Sequence, residues 1–325
     1  MRISGSDAVA GDRLRGFNPE HLRAELKPLD LSSRPIRGDA ETNYLAYYNL
    51  GVQHNDDEVV HHFGTLRCAG MEIATHYYVH PKPRGTCILV HGYFDHSGLY
   101  GHLIRHCLDA GYSVMIHDLP GHGMSSGAPA AIDSFDRYLT AFTEVLEQLG
   151  DRMPMPWVAI GQSTGGAILM KYLIWQRARP SSYRFAKTVL LAPLVRPVGW
   201  RSGKLLYPLL NPFRRSIPRK FVINSGDPVF QRFLLEDPLQ SDRLPLSWVG
   251  AMYEWVRDFE ATGSGHEAIE LIQGGADTTV DWRGNLPMIR LRFPKTNITM
   301  VEGAAHHMVN ERIELRERIF SLLPL

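Results

Sequence analysis

Residues 158–166 read Val158-Ala159-Ile160-Gly161-Gln162-Ser163-Thr164-Gly165-Gly166 and pass directly into Ala167-Ile168-Leu169-Met170-Lys171-Tyr172-Leu173. An apolar run that ends in Gly-x-Ser-x-Gly and restarts as an apolar helix predicts strand, sharp turn, helix. So tight a turn strains its central residue, and Gly161 and Gly165 leave room for helix and strand to approach. Ser163 is expected at the exposed tip, where a histidine can take its proton while the Thr164 N–H faces a developing oxyanion. A buried turn serine bonded to its own backbone is the competing reading on spacing alone.

The chain holds a decoy with the same spacing, Gly123-Met124-Ser125-Ser126-Gly127. Ala128-Pro129-Ala130 follows it and cannot continue as a close-packed helix, so Ser125 is read as structural.

Working outward, the chain of 325 residues is long enough for one large α/β fold. A formal net charge of +1 gives no global pull toward nucleic acid. Cys68, Cys87 and Cys107 are odd in number and widely spaced, which favours a reducing compartment and small core residues over disulfides or ligands. Residues 1–7 lack an apolar h-region and no later run approaches a membrane span, so a soluble, unsecreted, cytoplasmic protein is expected.

Residues 1–58 are polar and irregular apart from a short helix over 19–26, and are read as an extension laid over the body. Residues 59–79 form a hairpin around Ala69-Gly70, and 86–90 is continuously apolar, as a strand covered on both faces must be. The pattern then repeats: helix 99–110, strand 113–119, helix 135–149 capped by Ser134, strand 157–160, strand 188–191. Such alternation calls for right-handed crossovers and a mostly parallel, doubly wound α/β sheet of about eight strands. Functional groups then gather at the carboxyl ends of the strands.

Within 195–265 the rhythm breaks into prolines, an apolar cluster at 205–210 and a helix over 246–259, read as an inserted cap. It resumes with strand 268–272, a helix around 282–291, strand 298–301 and a closing helix over 309–322. The expected organisation is an extension (1–58), a core in two parts (59–194 and 266–325) and a cap (195–265).

Four loops that follow strands carry polar groups. In His91-Gly92-Tyr93-Phe94-Asp95-His96 the small Gly92 lets the loop fold close to the nucleophile, so the Tyr93 N–H can be a second oxyanion donor, its side chain free to face a substrate. An ordinary strand–helix turn is the competing reading. Asp118-Leu119-Pro120-Gly121-His122-Gly123 offers His122, but it precedes Ser163 in the chain and is read as structural. Asp277 follows a strand directly, where a buried carboxylate can fix a histidine tautomer, whereas Asp281 begins a helix and is read as its cap. Gly303-Ala304-Ala305-His306-His307 follows the last strand, and His306 is preferred to His307 as the base. The order Ser163, Asp277, His306 is that of α/β-hydrolases.

The stretches 91–100, 117–123, 161–166 and 303–306 resemble the monoglyceride lipase and lysophospholipase group of α/β-hydrolases, which overlaps in sequence with the serine aminopeptidases. Asn224-Ser225-Gly226-Asp227-Pro228 shares the likeness, which runs from about residue 60 to the C-terminus. The resemblance implies Ser163, Asp277 and His306 as a catalytic triad, with Tyr93 and Thr164 donating backbone N–H groups. Two positions depart from it: Gln162, where the family commonly has histidine, and Tyr93-Phe94, bulkier than the usual oxyanion loop.

The expected activity is hydrolysis of a carboxylic ester through an acyl-enzyme on Ser163, with neither metal nor organic cofactor. Residues 201–220 hold Arg201, Lys204, Arg214, Arg215, Arg219 and Lys220 and no acid, interleaved with Leu205, Leu206, Tyr207, Leu209, Leu210 and Phe213. Apolar surface flanked by positive charge suits a monoacyl lipid, monoglyceride or lysophospholipid, and transient contact of the cap with an anionic bilayer. Arginines that only keep an apolar cap soluble are the competing reading. Phe94, Gln162, Leu205 and Tyr207 are expected to line the substrate. An aminopeptidase of the same fold would need acids in the cap, for which Glu236, Asp237 and Asp242 are available. A non-catalytic ligand-binding relative would show a broken triad. Acyl length, headgroup and oligomeric state are open.

Overall fold

The computed structural model describes residues 17–51, 59–179 and 183–325. The rest of the expected extension, 1–16 and 52–58, lies outside them.

Eight strands form one sheet in the order β1 (Val60–Cys68), β2 (Met71–Val79), β4 (Ser113–His117), β3 (Thr86–Val90), β5 (Trp157–Gln162), β6 (Lys187–Leu191), β9 (Ala268–Gly274), β10 (Lys295–Val301). The β1–β2 and β2–β4 pairs are antiparallel and the rest parallel. Val90 pairs with Gly161, Gln162 with Leu191, Leu191 with Ile272 and Gly274 with Val301. The carboxyl ends of β3, β5, β6, β9 and β10 therefore finish near one rim, and their loops meet there.

β3 and β5 are buried along their whole length because helices cover both faces of the sheet. Ile88, Val90 and Ala159 pack into a cluster with α4 (Phe135–Leu149), α5 (Thr164–Gln176), α8 (Leu246–Ala261) and α9 (Trp282–Arg292). Their neighbours Cys87, Leu89, Val158 and Ile160 pack into a second cluster with α3 (Gly101–Asp109) and α10 (Ile313–Ser321), as the two-residue period of a strand requires. In α4 the buried residues Phe135, Tyr138, Leu139, Phe142, Val145, Leu146 and Leu149 keep helical spacing, and Ser134 Oγ accepts the Asp136 N–H at 3.0 Å.

The extension is more ordered than its polar composition suggests. α1 (Pro19–Glu25) is capped by Asn18, and an unforeseen helix, α2 (Asp39–Tyr47), follows. It buries Ala40, Tyr44 and Leu45, and Tyr48 just beyond its end buries its ring as well. Lys27 O and Leu29 N both bond to the backbone of Thr65 at 2.9 Å, covering the outer edge of β1.

Between β6 and β9 lie α6 (Trp200–Leu210), α7 (Pro228–Glu236), α8, and a short ladder of β7 (Ser216–Pro218) with β8 (Arg243–Pro245). The expected closing helix over 309–322 is divided. Its first part is a 3-10 turn at Met308–Asn310, and α10 starts only after Glu311, whose buried carboxylate accepts from Ala305 N at 2.6 Å and Gly226 N at 2.9 Å. Among the described residues no helix is long and apolar enough to cross a membrane.

Candidate active site

Ser163 sits between β5 and α5 with φ 52° and ψ −113°, a conformation that side-chain-bearing residues rarely adopt. The glycines around it explain how so sharp a turn is packed. A Cβ on Gly161 would lie 2.6 Å from the Gly165 carbonyl carbon, and one on Gly165 would run into the Val90 carbonyl. A Cβ on Gly92 would lie only 3.4 Å from that of Ser163, so the loop after β3 approaches the serine closely.

His306, from the loop after β10, places Nε2 3.0 Å from Ser163 Oγ and Nδ1 2.8 Å from Asp277 Oδ2. With the Nδ1–H donating to the carboxylate, Nε2 is left to accept the serine proton. Asp277 comes from the turn after β9. Its Oδ1 accepts from the N–H groups of Thr279 (2.8 Å) and Val280 (3.2 Å), and its Oδ2 also accepts from Gln273 Nε2 (3.0 Å). Burial acts to raise the Asp277 carboxyl, but His306 and these donors outweigh it and hold the group below the usual carboxylate range. Asp281 accepts from Gly284 N at 3.2 Å and caps α9.

Among the described residues, neither the Tyr93 nor the Thr164 backbone N–H donates to a protein acceptor. Thr164 opens α5, where the first N–H groups have no intrahelical partner. The Tyr93 side chain is not free: its ring stacks on Trp248 at 3.7 Å and its hydroxyl donates to Ala130 O at 2.7 Å. That differs from the expectation that it faces a substrate, because Trp248 of α8 supplies a flat apolar partner that the sequence does not place beside it.

The decoys have other tasks. Ser125 Oγ donates to Asp118 O (2.7 Å) and accepts from Ala74 N (2.9 Å). His122 is buried against Pro120 O, and burial pulls its pKa down to about 4. His307 pairs with Asp95 rather than the serine.

The four residues chosen to line a substrate separate. Gln162 is buried, and its Oε1 accepts from Val309 N at 3.3 Å, which braces the histidine loop. Leu205 is 76% exposed, and Tyr207 packs on Tyr253 with ring centroids 5.2 Å apart. Phe94 lies in the loop after β3 with φ +65°, its ring 4.0 Å from that of Tyr93 and tilted 40° to it.

Three braces escaped sequence reading because they join segments far apart in the chain. Glu311 holds Ala305, next to His306, and also Gly226 of the inserted segment. Asn224 O accepts the His307 N–H at 2.6 Å, and Ser225 Oγ donates to Asn310 O at 2.7 Å, which gives the 224–228 motif a physical purpose. Asp237 accepts from His96 Nε2 at 2.8 Å and Tyr48 OH at 2.6 Å, tying the insertion, the loop after β3 and the extension together. Among the described residues no cluster of three or more His, Cys, Asp or Glu is arranged to hold a metal ion.

A family model described as serine aminopeptidase, S33, matches residues 81–313. Monoacylglycerol lipase of Mycolicibacterium smegmatis is 34% identical over 91 residues, 28% of this chain and 32% of that protein. Human monoglyceride lipase is 32% identical over 119 residues, 35% of this chain and 38% of that protein. The chain thus spans well under half the length of these two relatives. The crystal structure of Paleococcus ferrophilus monoacylglycerol lipase matches with a TM-score of 0.65 at 25% identity, covering 77% of this chain and 96% of that one.

Proposed function

This chain belongs to the serine aminopeptidase S33 family of α/β-hydrolases, and from that premise we propose that it hydrolyses carboxylic esters of monoacyl lipids through an acyl-enzyme on Ser163. The observation that carries the reading is the hydrogen-bonded relay Ser163–His306–Asp277, at 3.0 and 2.8 Å. His306 takes the serine proton as Oγ attacks the ester carbonyl, and the oxyanion settles on the Tyr93 and Thr164 N–H groups. The imidazolium returns its proton to the departing alcohol. Water, activated by the same histidine, then releases the acid.

A lipid substrate is supported by the names of the three relatives described above, which are monoacylglycerol or monoglyceride lipases, and by the surface of the insertion. Leu205, Leu209 and Phe213 are 76%, 67% and 85% exposed, among the exposed cations Arg201, Lys204, Arg214, Arg215 and Lys220. Such a surface fits transient contact with an anionic bilayer. The buried free thiols of Cys68, Cys87 and Cys107 fit a cytoplasmic setting. The aminopeptidase reading has less support: Glu236 and Asp242 are exposed and Asp237 is already engaged.

A fluorophosphonate probe should label Ser163 and fail to label Ser163→Ala. Turnover of p-nitrophenyl esters should rise with acyl length, and amino-acyl anilides should be poor substrates. Labelling at another residue with turnover retained in Ser163→Ala would remove the proposal.

A further inference from the structure

Of the six cations between residues 201 and 220, Arg219 alone is half-buried while the other five are exposed. Its guanidinium carbon lies 3.8 Å from the centroid of the Phe94 ring and 4.3 Å from that of Phe221. Nη1 donates to Gln240 Oε1 at 2.7 Å and to Ser241 O at 3.2 Å. The Phe221 ring and two oxygens of the insertion thus hold this side chain against Phe94 in the loop after β3, one residue from Tyr93.

What the guanidinium lacks is an anion. Among the described residues no carboxylate forms an ion pair with it. The nearby acids are engaged elsewhere: Asp95 with His307, Tyr100 and Gly92, and Asp237 with His96 and Tyr48. Burial lowers its pKa to about 10, so the group stays charged at neutral pH. Asp95 and Asp237 act on its charge through space but neither touches it, and its remaining N–H groups form a planar fork suited to phosphate or carboxylate.

We propose that Arg219 is a specificity-determining residue that binds a phosphate carried by the alcohol portion of the ester, so that the site favours a monoacyl glycerophosphate over the neutral monoacylglycerol. This rests on the ester-hydrolase reading and adds a choice of headgroup to it. The five exposed cations cannot make that choice, because water screens them and, among the described residues, none of them stacks on the loop after β3. The ester carbonyl sits on the Tyr93 N–H during attack, and the alcohol that leaves carries its phosphate toward the guanidinium beside Phe94.

The test measures kcat/KM of the full-length protein for 1-acylglycerol and for 1-acylglycerol 3-phosphate of the same acyl chain, in wild type, Arg219→Gln and Arg219→Lys. The ratio of anionic to neutral substrate is expected to fall at least about tenfold in Arg219→Gln, chiefly through KM, and to recover in part in Arg219→Lys. The lysine variant keeps the question answerable if the glutamine protein does not fold, since loss of the fork alone should lower the ratio. Inorganic phosphate forms a second arm. Competition that Arg219→Gln abolishes means that phosphate alone is bound; no competition with a fallen ratio means that it is bound only as part of the lipid, and either supports the assignment. An unchanged ratio, or a proportional fall for both substrates, overturns it and leaves Arg219 as packing on Phe94. If the wild type hydrolyses neither lipid nor p-nitrophenyl esters and Ser163 takes no label, the ester-hydrolase reading itself has failed, and this one with it.

Discussion

His307 Nε2 lies 3.2 Å from Asp95 Oδ1, so the residue beside the candidate base is paired with the loop after β3 that carries Tyr93. Asp95 Oδ2 also accepts from Tyr100 OH at 3.0 Å and Gly92 N at 3.3 Å. Burial acts to raise the Asp95 carboxyl, but His307 and these donors override it and hold the group well below the usual carboxylate range. Asp95→Asn is expected to lower kcat on p-nitrophenyl esters by about tenfold with little change in KM, since it loosens the placing of the donor and not the contact with substrate. Asp95→Ala, which leaves His307 buried without its hydrogen-bond partner, should also cost about 1–3 kcal/mol of stability, measured by urea denaturation. Full activity in both variants would mean that the pair has no positioning role.

Ser163→Gly should be inactive and more stable. Glycine accepts the φ of 52° that serine adopts under strain, a gain of about 1 kcal/mol that should appear as a raised thermal midpoint. Ser163→Ala and His306→Ala should each lower kcat by at least about a thousandfold, and the double variant should fall no further. Additive losses would contradict a relay in which the two act as a unit.

Replacing Asp237 should loosen regions that are distant in sequence. Asp237→Ala leaves His96 buried and unpaired and removes the acceptor of Tyr48, at a cost of about 3–5 kcal/mol. Hydrogen exchange should then speed up together in α2 and α7. Faster exchange confined to α7 would show that the extension is held by other contacts.

Acid should weaken the fold through buried neutral histidines. His61 and His76 share a hydrogen bond of 3.0 Å between Arg37, 3.2 Å from His61, and Tyr44, 3.3 Å from His76. Burial pushes His76 down to about 3 and His61 well below 6.5. Unfolded chains take up protons near pH 6.5 that the folded protein refuses. This contribution is therefore full above pH 6.5 and is lost as pH falls from there toward 3, on the order of 1–2 kcal/mol per histidine at pH 5. His96 runs the other way: burial opposes its charge, but Asp237 overrides this and raises its pKa, so its share is full below pH 6.5 and lost as pH rises through the folded value. The thermal midpoint should be lower at pH 5 than at pH 7, with a smaller drop in His76→Phe. Equal midpoints at the two pH values would show that the histidine pair is already protonated in the folded protein.

Sedimentation with vesicles tests the surface of the insertion. Binding to vesicles containing phosphatidylserine should weaken as salt rises, and Leu205→Ser with Phe213→Ser should weaken it further. Equal binding to neutral vesicles, or none to either kind, would reduce these residues to solubility.

The residues themselves determined the strands, the elbow and the order of the reacting groups. A strand buried on both faces has to be continuously apolar, as 86–90 and 157–160 are, and a turn packed against its own strand admits only glycine at 161 and 165. These are constraints between neighbours, so they are visible in one dimension. α2 stayed hidden because its buried residues, Ala40, Tyr44 and Leu45, leave only a short apolar stripe in an otherwise polar segment. Which acids pair with which histidines, why Gln162 braces a loop, and why one of six cap cations turns inward were decided by the fold alone. Each depends on groups as far as 212 positions apart, as His307 and Asp95 are, brought within hydrogen-bonding distance where burial leaves every polar group in need of a partner.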